Sequence, residues 1–329
     1  MAMSSYEIVR RSIEFTGPER LPLHIGNPQK SDVRTVRWNF IGEGDHNLKK
    51  SYDEWGCLWV RSGEQNMGQI KGHPLSSWHN LNTFHWPDPN NHTFFEGMES
   101  RFANCEGKYV ITTIFMLLFE RMWALRGFEN LLADFYLERE NVDNLADHIL
   151  EFDLGIIQNI SQRFNKRIHG LLFSEDWGTQ QGLMIKPQLW KDFFKPRYQK
   201  LFNAIHEKGW HVWMHSDGRI NAILGDLIEI GVDVINIEQP NIVGIEEVGS
   251  QYRGQICFET SVDIQKTLPF KSPDEIRKEA HSLLQHWAHP CGGFIIEMHD
   301  DNIMALGLAP EKIQIMMDAF SEADPWKTR

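Results

Sequence analysis

The sequence predicts a (β/α)8 barrel, the TIM-barrel architecture, on three observations. Five apolar runs end in acids, histidines or amides: LLFSEDWGTQ at 171–180, HVWMHSDG at 211–218, VINIEQP at 234–240, ICFETSVD at 256–263 and FIIEMHDD at 294–301. A stretch with helical spacing follows each run, and the interval between tips suits one strand and its crossover helix. The 329 residues, 41% of them hydrophobic, suffice for one large core, and barrels routinely exceed the usual domain size. Such a barrel gathers its polar tips on one rim, where active sites form.

The elements follow in order. Residues 5–15 carry apolar positions at helical spacing and stop at Gly17-Pro18, which suits a helix covering the closed end. A short strand spans 21–26. Residues 30–105 break the rhythm with many Gly, Pro, Asn and His and with Trp38, Trp55, Trp59, Trp78 and Trp86. This Trp-rich insertion is long enough to expect a functional role. A strand at 108–115 leads to a helix from Met116 to about Ala133, and a second helix, capped by Asn141, runs to about Arg163. Strands at 168–174, 210–215, 232–238, 254–259 and 293–298 then alternate with helices at 187–208, 219–230, 245–252 and 273–288. Pro187 stands in the first turn of one helix, and Pro310 opens the last. Seven strands are legible, and the eighth is expected inside 30–105 or distorted. The whole chain, 1–329, reads as one barrel domain.

Composition narrows the function. The 45 acidic against 33 basic side chains give a formal charge of -12, which argues against nucleic-acid and anionic-membrane partners. Cys57, Cys105, Cys257 and Cys291 form no CxxC pair, as expected in a reducing cytosol. The start, MAMSSYEIVRR, has no apolar leader, and no segment approaches a membrane span. A cytoplasmic protein is expected.

Period two assigns the faces of the strands, because the outward face must be apolar to pack on helices. Ser174 and Asp176, Trp213 and His215, Asn236 and Glu238, Cys257 and Glu259, and Glu297 and His299 then point inward. A lone acid at a strand end is more often a helix cap than a ligand. Here five positions converge. His215, Glu238, Glu259 and His299 have the residue types and number of a catalytic Zn2+ site. A network of hydrogen-bonded carboxylates and imidazoles would satisfy the same residues, so both readings stay open, although buried carboxylates without a cation or proton are costly. Asp176 and Asp217 are the expected catalytic acids or bases. His24, Trp55, Trp177, Gln180 and Trp213 are expected against the substrate, and the tryptophans make it aromatic in this reading.

From Glu175 to Phe320 the chain resembles the uroporphyrinogen decarboxylase-like family. The likeness rests on EDWGTQQGLMIKPQLWKDFFKPRYQKLFNAIHEKGWHVWMHSDG, DLIEIGVDVINIEQP, FETSVDIQKTLPF and GGFIIEMHDDN. It extends weakly to ERLPLHI, DEWGCLWV and LLFERMWALRGFENLLADF. It implies a (β/α)8 barrel and either porphyrinogen decarboxylation or zinc-dependent methyl transfer to a corrinoid protein. The decarboxylases carry an arginine segment, MRQAGR, after the first strand; here HIGNPQKSD stands there, which argues against haem biosynthesis. The thiol-activating zinc methyltransferases carry His-x-Cys and a later Cys, where this chain has His215-Ser216-Asp217 and, near the later position, His299. Oxygen and nitrogen ligands leave zinc a stronger Lewis acid than thiolates do. The expectation is a zinc-dependent methyltransferase of the O-demethylase type, moving methyl from a small methoxylated substrate to a corrinoid partner protein. No Asp-x-His-x-x-Gly segment occurs, so the corrinoid would come in trans. The alternative is a metal-free decarboxylase or lyase, with Asp176 and Glu259 as acid and base. A binding protein without catalysis is a third class, since fold alone proves no activity.

Overall fold

The computed structural model describes residues 2–327 except 41, 43, 44, 46 and 62–67, and the backbone alone of 300–302. Eight parallel strands form the barrel: β1 Leu23–Ile25, β2 Val33–Thr35, β3 Tyr109–Ile114, β4 Gly170–Ser174, β5 His211–His215, β6 Val234–Asn236, β7 Cys257–Thr260 and β8 Phe294–Met298. Their order is β1-β8-β7-β6-β5-β4-β3-β2, so seven neighbours are joined by ladders. The remaining seam, between β1 and β2, is stitched by Asp32. Its N–H donates to Leu23 O at 2.7 Å, its Oδ2 accepts from Leu23 N at 2.9 Å, and Arg20 grips both carboxylate oxygens at 2.7 Å. The eighth strand is therefore β2, inside the region that breaks the rhythm. With three residues and Arg34 at its centre, it presents no alternation to read.

Each face assignment holds. Leu171, Phe173, Val212, Met214, Ile235, Ile237, Ile256, Phe258, Phe294, Ile296 and Met298 join the core under the helices. Inside the barrel, Val33, Tyr109, Ile111, Trp213, Val234, Cys257 and Ile295 pack in a separate lower layer. The helix Ser5–Ile13 closes that end, with Val9 and Ile13 in the same layer.

Two helices depart from expectation. The stretch after β3 is not one helix but two, Phe119–Arg126 and Phe128–Leu137, because Gly127 at φ 92° turns the chain between them. The long helix is Arg139–Phe164, so Asn141 lies within its first turn and caps nothing; its amide donates to Glu138 at 3.1 Å.

The insertion forms its own three-stranded antiparallel sheet from Lys50–Tyr52, Leu58–Val60 and Gln69–Gly72. Asp53 organises the tight turn into it, accepting from the N–H groups of Trp55 and Cys57, the Trp59 indole and buried Arg121 at 2.8 to 3.0 Å. Trp38, Phe40 and Trp55 then pack against Phe152 of the long helix. Among the described residues no helix is long and apolar enough to cross a membrane.

Candidate active site

Above the lower layer the inward residues are polar, and those of β5, β6, β7 and β1 form a chain of contacts, while Glu297 of β8 is buried with neither carboxylate oxygen hydrogen-bonded among the described residues. At the end of β5, His215 Nδ1 meets Asn236 Oδ1 of β6 at 2.6 Å. Asn236 Nδ2 donates to Glu259 Oε2 of β7 at 3.0 Å, and Glu259 Oε1 meets His24 Nδ1 of β1 at 2.6 Å. Because the Asn236 amide must donate to Glu259, its oxygen faces His215 and accepts the Nδ1 proton. The imidazole Nε2 is thereby turned outward, an orientation set by the partner behind it.

What Nε2 faces is a pair of acids. Asp176, His215 and Asp217 each offer a ligand atom, all within 4.8 Å of one another, with Nε2 3.7 Å from Asp176 Oδ1. The two acids sit on rim loops after β4 and β5 that touch through glycines. Gly178 N–H donates to Asp217 O at 3.2 Å, and a Cβ on Gly218, at φ 80°, would lie 2.3 Å from the Gly178 carbonyl carbon. Asp176 Oδ1 also accepts from Asp217 N at 2.8 Å. Gln239 Nε2 holds Asp217 Oδ2 at 3.1 Å, and Gln180 in turn holds Gln239 at 3.0 Å.

The electrostatics are those of an acidic pocket. Burial alone would keep His215 neutral, but the carboxylates of Glu238, Asp176 and Asp217 outweigh it and push the imidazole pKa up to about 10. Asp217 is pushed up to about 6, first by burial, with His215 opposing and Asp176 and Glu238 adding to the rise. Asp217 Oδ1 is buried without a hydrogen-bond partner among the described residues. A fourth acid, Glu120, approaches from the first turn of the helix after β3, where Ser174 Oγ donates to it at 3.3 Å. Burial, then the charges of Asp176 and Glu175, hold it protonated well above the usual range.

The expected site residues are thus redistributed. Among the described residues His215, Glu238, Glu259 and His299 are not found together as one close ligand group. Among the described residues the close cluster unites His215 with Asp176 and Asp217, the two residues expected to be catalytic. Glu238 contributes its charge to His215. Glu259 is taken up by His24 and Asn236, and His299 packs edge-on against the His24 ring, centroids 4.4 Å apart. Trp213 lies in the layer beneath, 6.1 Å from the His24 ring. Gln180 stands at the rim through Gln239. Trp177 is fully buried against Phe119, Trp190, Phe194 and Tyr198, and so packs the barrel against its helices. Trp55 likewise packs on Phe40 and Phe152, and borders a cavity of about 450 Å3 walled by insertion residues such as Glu54, Pro74 and Phe84. Glu120 was missed, yet LLFE, an apolar run ending in an acid, bears the same signature as the other tips.

The profile of the uroporphyrinogen decarboxylase family (URO-D) matches residues 113–323, more than half of the chain. The chain belongs to that family. Its structure resembles a methyltransferase from Methanosarcina mazei with a TM-score of 0.69 at 11% identity, over 97% of this chain and 99% of that one. A glycosylated endo-beta-1,4-xylanase from Gloeophyllum trabeum aligns at a TM-score of 0.42 and 8% identity, over 89% of this chain and 88% of that one. No curated protein sequence matches the chain significantly. At these identities the structural likeness speaks to the barrel and not to the reaction.

Proposed function

We propose that the protein is a metal-dependent methyltransferase that removes methyl from an oxygen of a small methoxylated substrate and passes it to a corrinoid carried by a partner protein. The observation that carries this reading is the convergence of Asp176, His215 and Asp217 within 4.8 Å, with His215 Nε2 presented to both acids by Asn236. The donor set of one imidazole and two carboxylates suits a divalent zinc, and the unpartnered Asp217 Oδ1 is an acceptor that such an ion would satisfy. Bound there, zinc would supply Lewis-acid polarisation of the methoxy oxygen.

The chain's own groups do the rest. Asn236 and Glu259 hold the His215 ring in orientation, and Gln239 fixes the Asp217 carboxylate. Glu120, protonated and beside the cluster, is placed to give a proton to the oxygen that loses its methyl. Family membership supports the reading from a second side, since methyltransferases share this family with decarboxylases. The absence of the decarboxylases' arginine segment favours methyl transfer.

The test is to incubate the purified protein with methoxylated aromatics and a reduced corrinoid protein, and to follow cobalt methylation by absorbance. Methylation that needs both the metal and the partner supports the reading. Equal transfer to free cobalamin or a thiol would sink the two-protein scheme, and release of carbon dioxide without methylation would return the protein to decarboxylation.

A further inference from the structure

Glu120 reaches the cluster from a helix that follows a different strand from the residues it serves. After β3 the chain turns at Met116, whose φ of 55° is a left-handed conformation that bulky side chains rarely take. The helix Phe119–Arg126 then begins at Leu118, which offers no side-chain cap, so the N–H groups of its first turn need acceptors from elsewhere. One carboxyl group serves the turn. Glu175 Oε2 accepts from Leu118 N at 2.9 Å, and Glu175 Oε1 accepts from Phe119 N and, at 3.3 Å, from Glu120 N. The Tyr198 hydroxyl, on the helix Lys195–His206, donates to the same Oε1 at 2.7 Å. Glu175 and Tyr198 are both fully buried. The backbone completes the joint: Glu175 N–H donates to His215 O at 3.0 Å, Leu117 N–H donates to Ser174 O at 3.2 Å, and the residue after Glu175 is Asp176.

We propose that Glu175 is a positioning residue that ties the turn carrying Glu120 to the rim carrying Asp176 and His215, and so sets how far that acid reaches over the cluster. The tie stands on the hydrogen bonds above; only the task of Glu120 as proton donor rests on the methyl-transfer reading. A cap that merely ended the helix would come from its own first residues, where a serine or asparagine suffices and travels with the helix. Here the acceptor comes from the end of the next barrel strand. The helix cannot slide or tilt relative to β4 without stripping partners from a buried carboxyl group, which is costly. Four donors also fill the roughly four acceptor sites that a carboxylate has. The side chain of Glu120 is steered from the same place, since Ser174, the residue before Glu175, donates to its Oε2 at 3.3 Å. Fully buried, Glu175 touches no substrate and acts through Glu120.

The experiment follows the wild type, Glu175→Gln, Glu120→Gln and the double variant by amide hydrogen exchange and by methyl transfer from a methoxylated aromatic to a reduced corrinoid protein. Glutamine keeps one oxygen for Phe119 and Glu120 but sets an amide N–H against that of Leu118, so exchange of the 117–120 amides should quicken about tenfold or more. Glu120→Gln should lower kcat about a hundredfold. Glu175→Gln should lower kcat about tenfold with KM unchanged, and the double variant should be no slower than Glu120→Gln alone. Tyr198→Phe, which keeps the ring and removes one donor, should change exchange and kcat in the same directions by less, and it carries the test if Glu175→Gln does not fold. Unchanged exchange in both variants, a rise in KM in place of the fall in kcat, or losses that multiply in the double variant would each overturn the proposal. Quickened exchange in a protein whose wild type transfers no methyl would instead keep the tie and discard the methyltransferase reading.

Discussion

The two layers inside the barrel come from the same strands, two residues apart, and have opposite characters. Trp213 stands below His215, Val234 below Asn236, Cys257 below Glu259 and Ile295 below Glu297. The lower members pack with each other and with the first helix. Of the upper members, His215, Asn236 and Glu259 form hydrogen bonds from strand to strand across the mouth and on to His24 of β1. Position along the strand, and not the strand itself, decides whether a residue holds the barrel together or equips its site. Conversely, a polar group in the lower layer needs partners of its own, as the Tyr109 hydroxyl finds in His169 O at 2.9 Å and His211 Nδ1 at 2.6 Å, and an apolar residue in the upper layer would break the chain that orients His215.

The sharpest way to break this division is to remove one member from each layer. His215→Ala should lower metal affinity by more than about a hundredfold, read by metal analysis after dialysis, while the unfolding midpoint barely moves. Full metal content in that variant would exclude His215 as a ligand. Trp213→Ala should do the reverse, costing about 3–5 kcal/mol in denaturant unfolding while the protein that stays folded still binds metal. A milder change, Asn236→Ala, leaves every proposed ligand in place but frees the imidazole to turn; metal affinity should fall about 10–100-fold. Unchanged affinity would mean that the chain of hydrogen bonds does not orient the site.

The smallest effect concerns the closed end. His169 accepts the Val110 N–H at Nδ1, and burial, then His211, lowers its pKa from 6.5 to about 4. The unfolded chain therefore takes up a proton that the folded chain refuses. Its contribution to stability is complete above pH 6.5 and is lost as pH falls toward about 4. His169→Gln should flatten the acid side of the stability curve over that window. An unchanged curve would assign the acid sensitivity elsewhere.

Strand faces were legible because they rest on one constraint, that a barrel strand must be apolar toward its helices, and five runs satisfied it with the same parity. That rule reaches only as far as the strand. Asp217 lies beyond the end of β5, where the chain turns, so its convergence with Asp176 depends on the two loops touching and could not be read from alternation. Trp177, expected against the substrate, also lies beyond the end of its strand, so its packing on Phe119 comes from the loop after β4 and not from alternation. Trp55 shows a different limit. Aromatic density marks a packed region, and only the partners of each ring tell whether that region meets a ligand. Seven strands could be counted from apolar runs, but β2 could not, because a strand of three residues with arginine at its centre owes its place to Asp32 and to the ladder with β3.

Gly178 and Gly218 hold a consequence for how this site can vary. The distance between its two acids is set by two residues that have no side chains, pressed together where even one carbon does not fit. A methyl group at either position would act as a wedge, prising the loops apart while leaving every charged group intact. Inheritance of the site therefore includes an empty space as well as a set of functional groups, and a relative that kept Asp176, His215 and Asp217 but filled that gap would carry the same letters with a different reach.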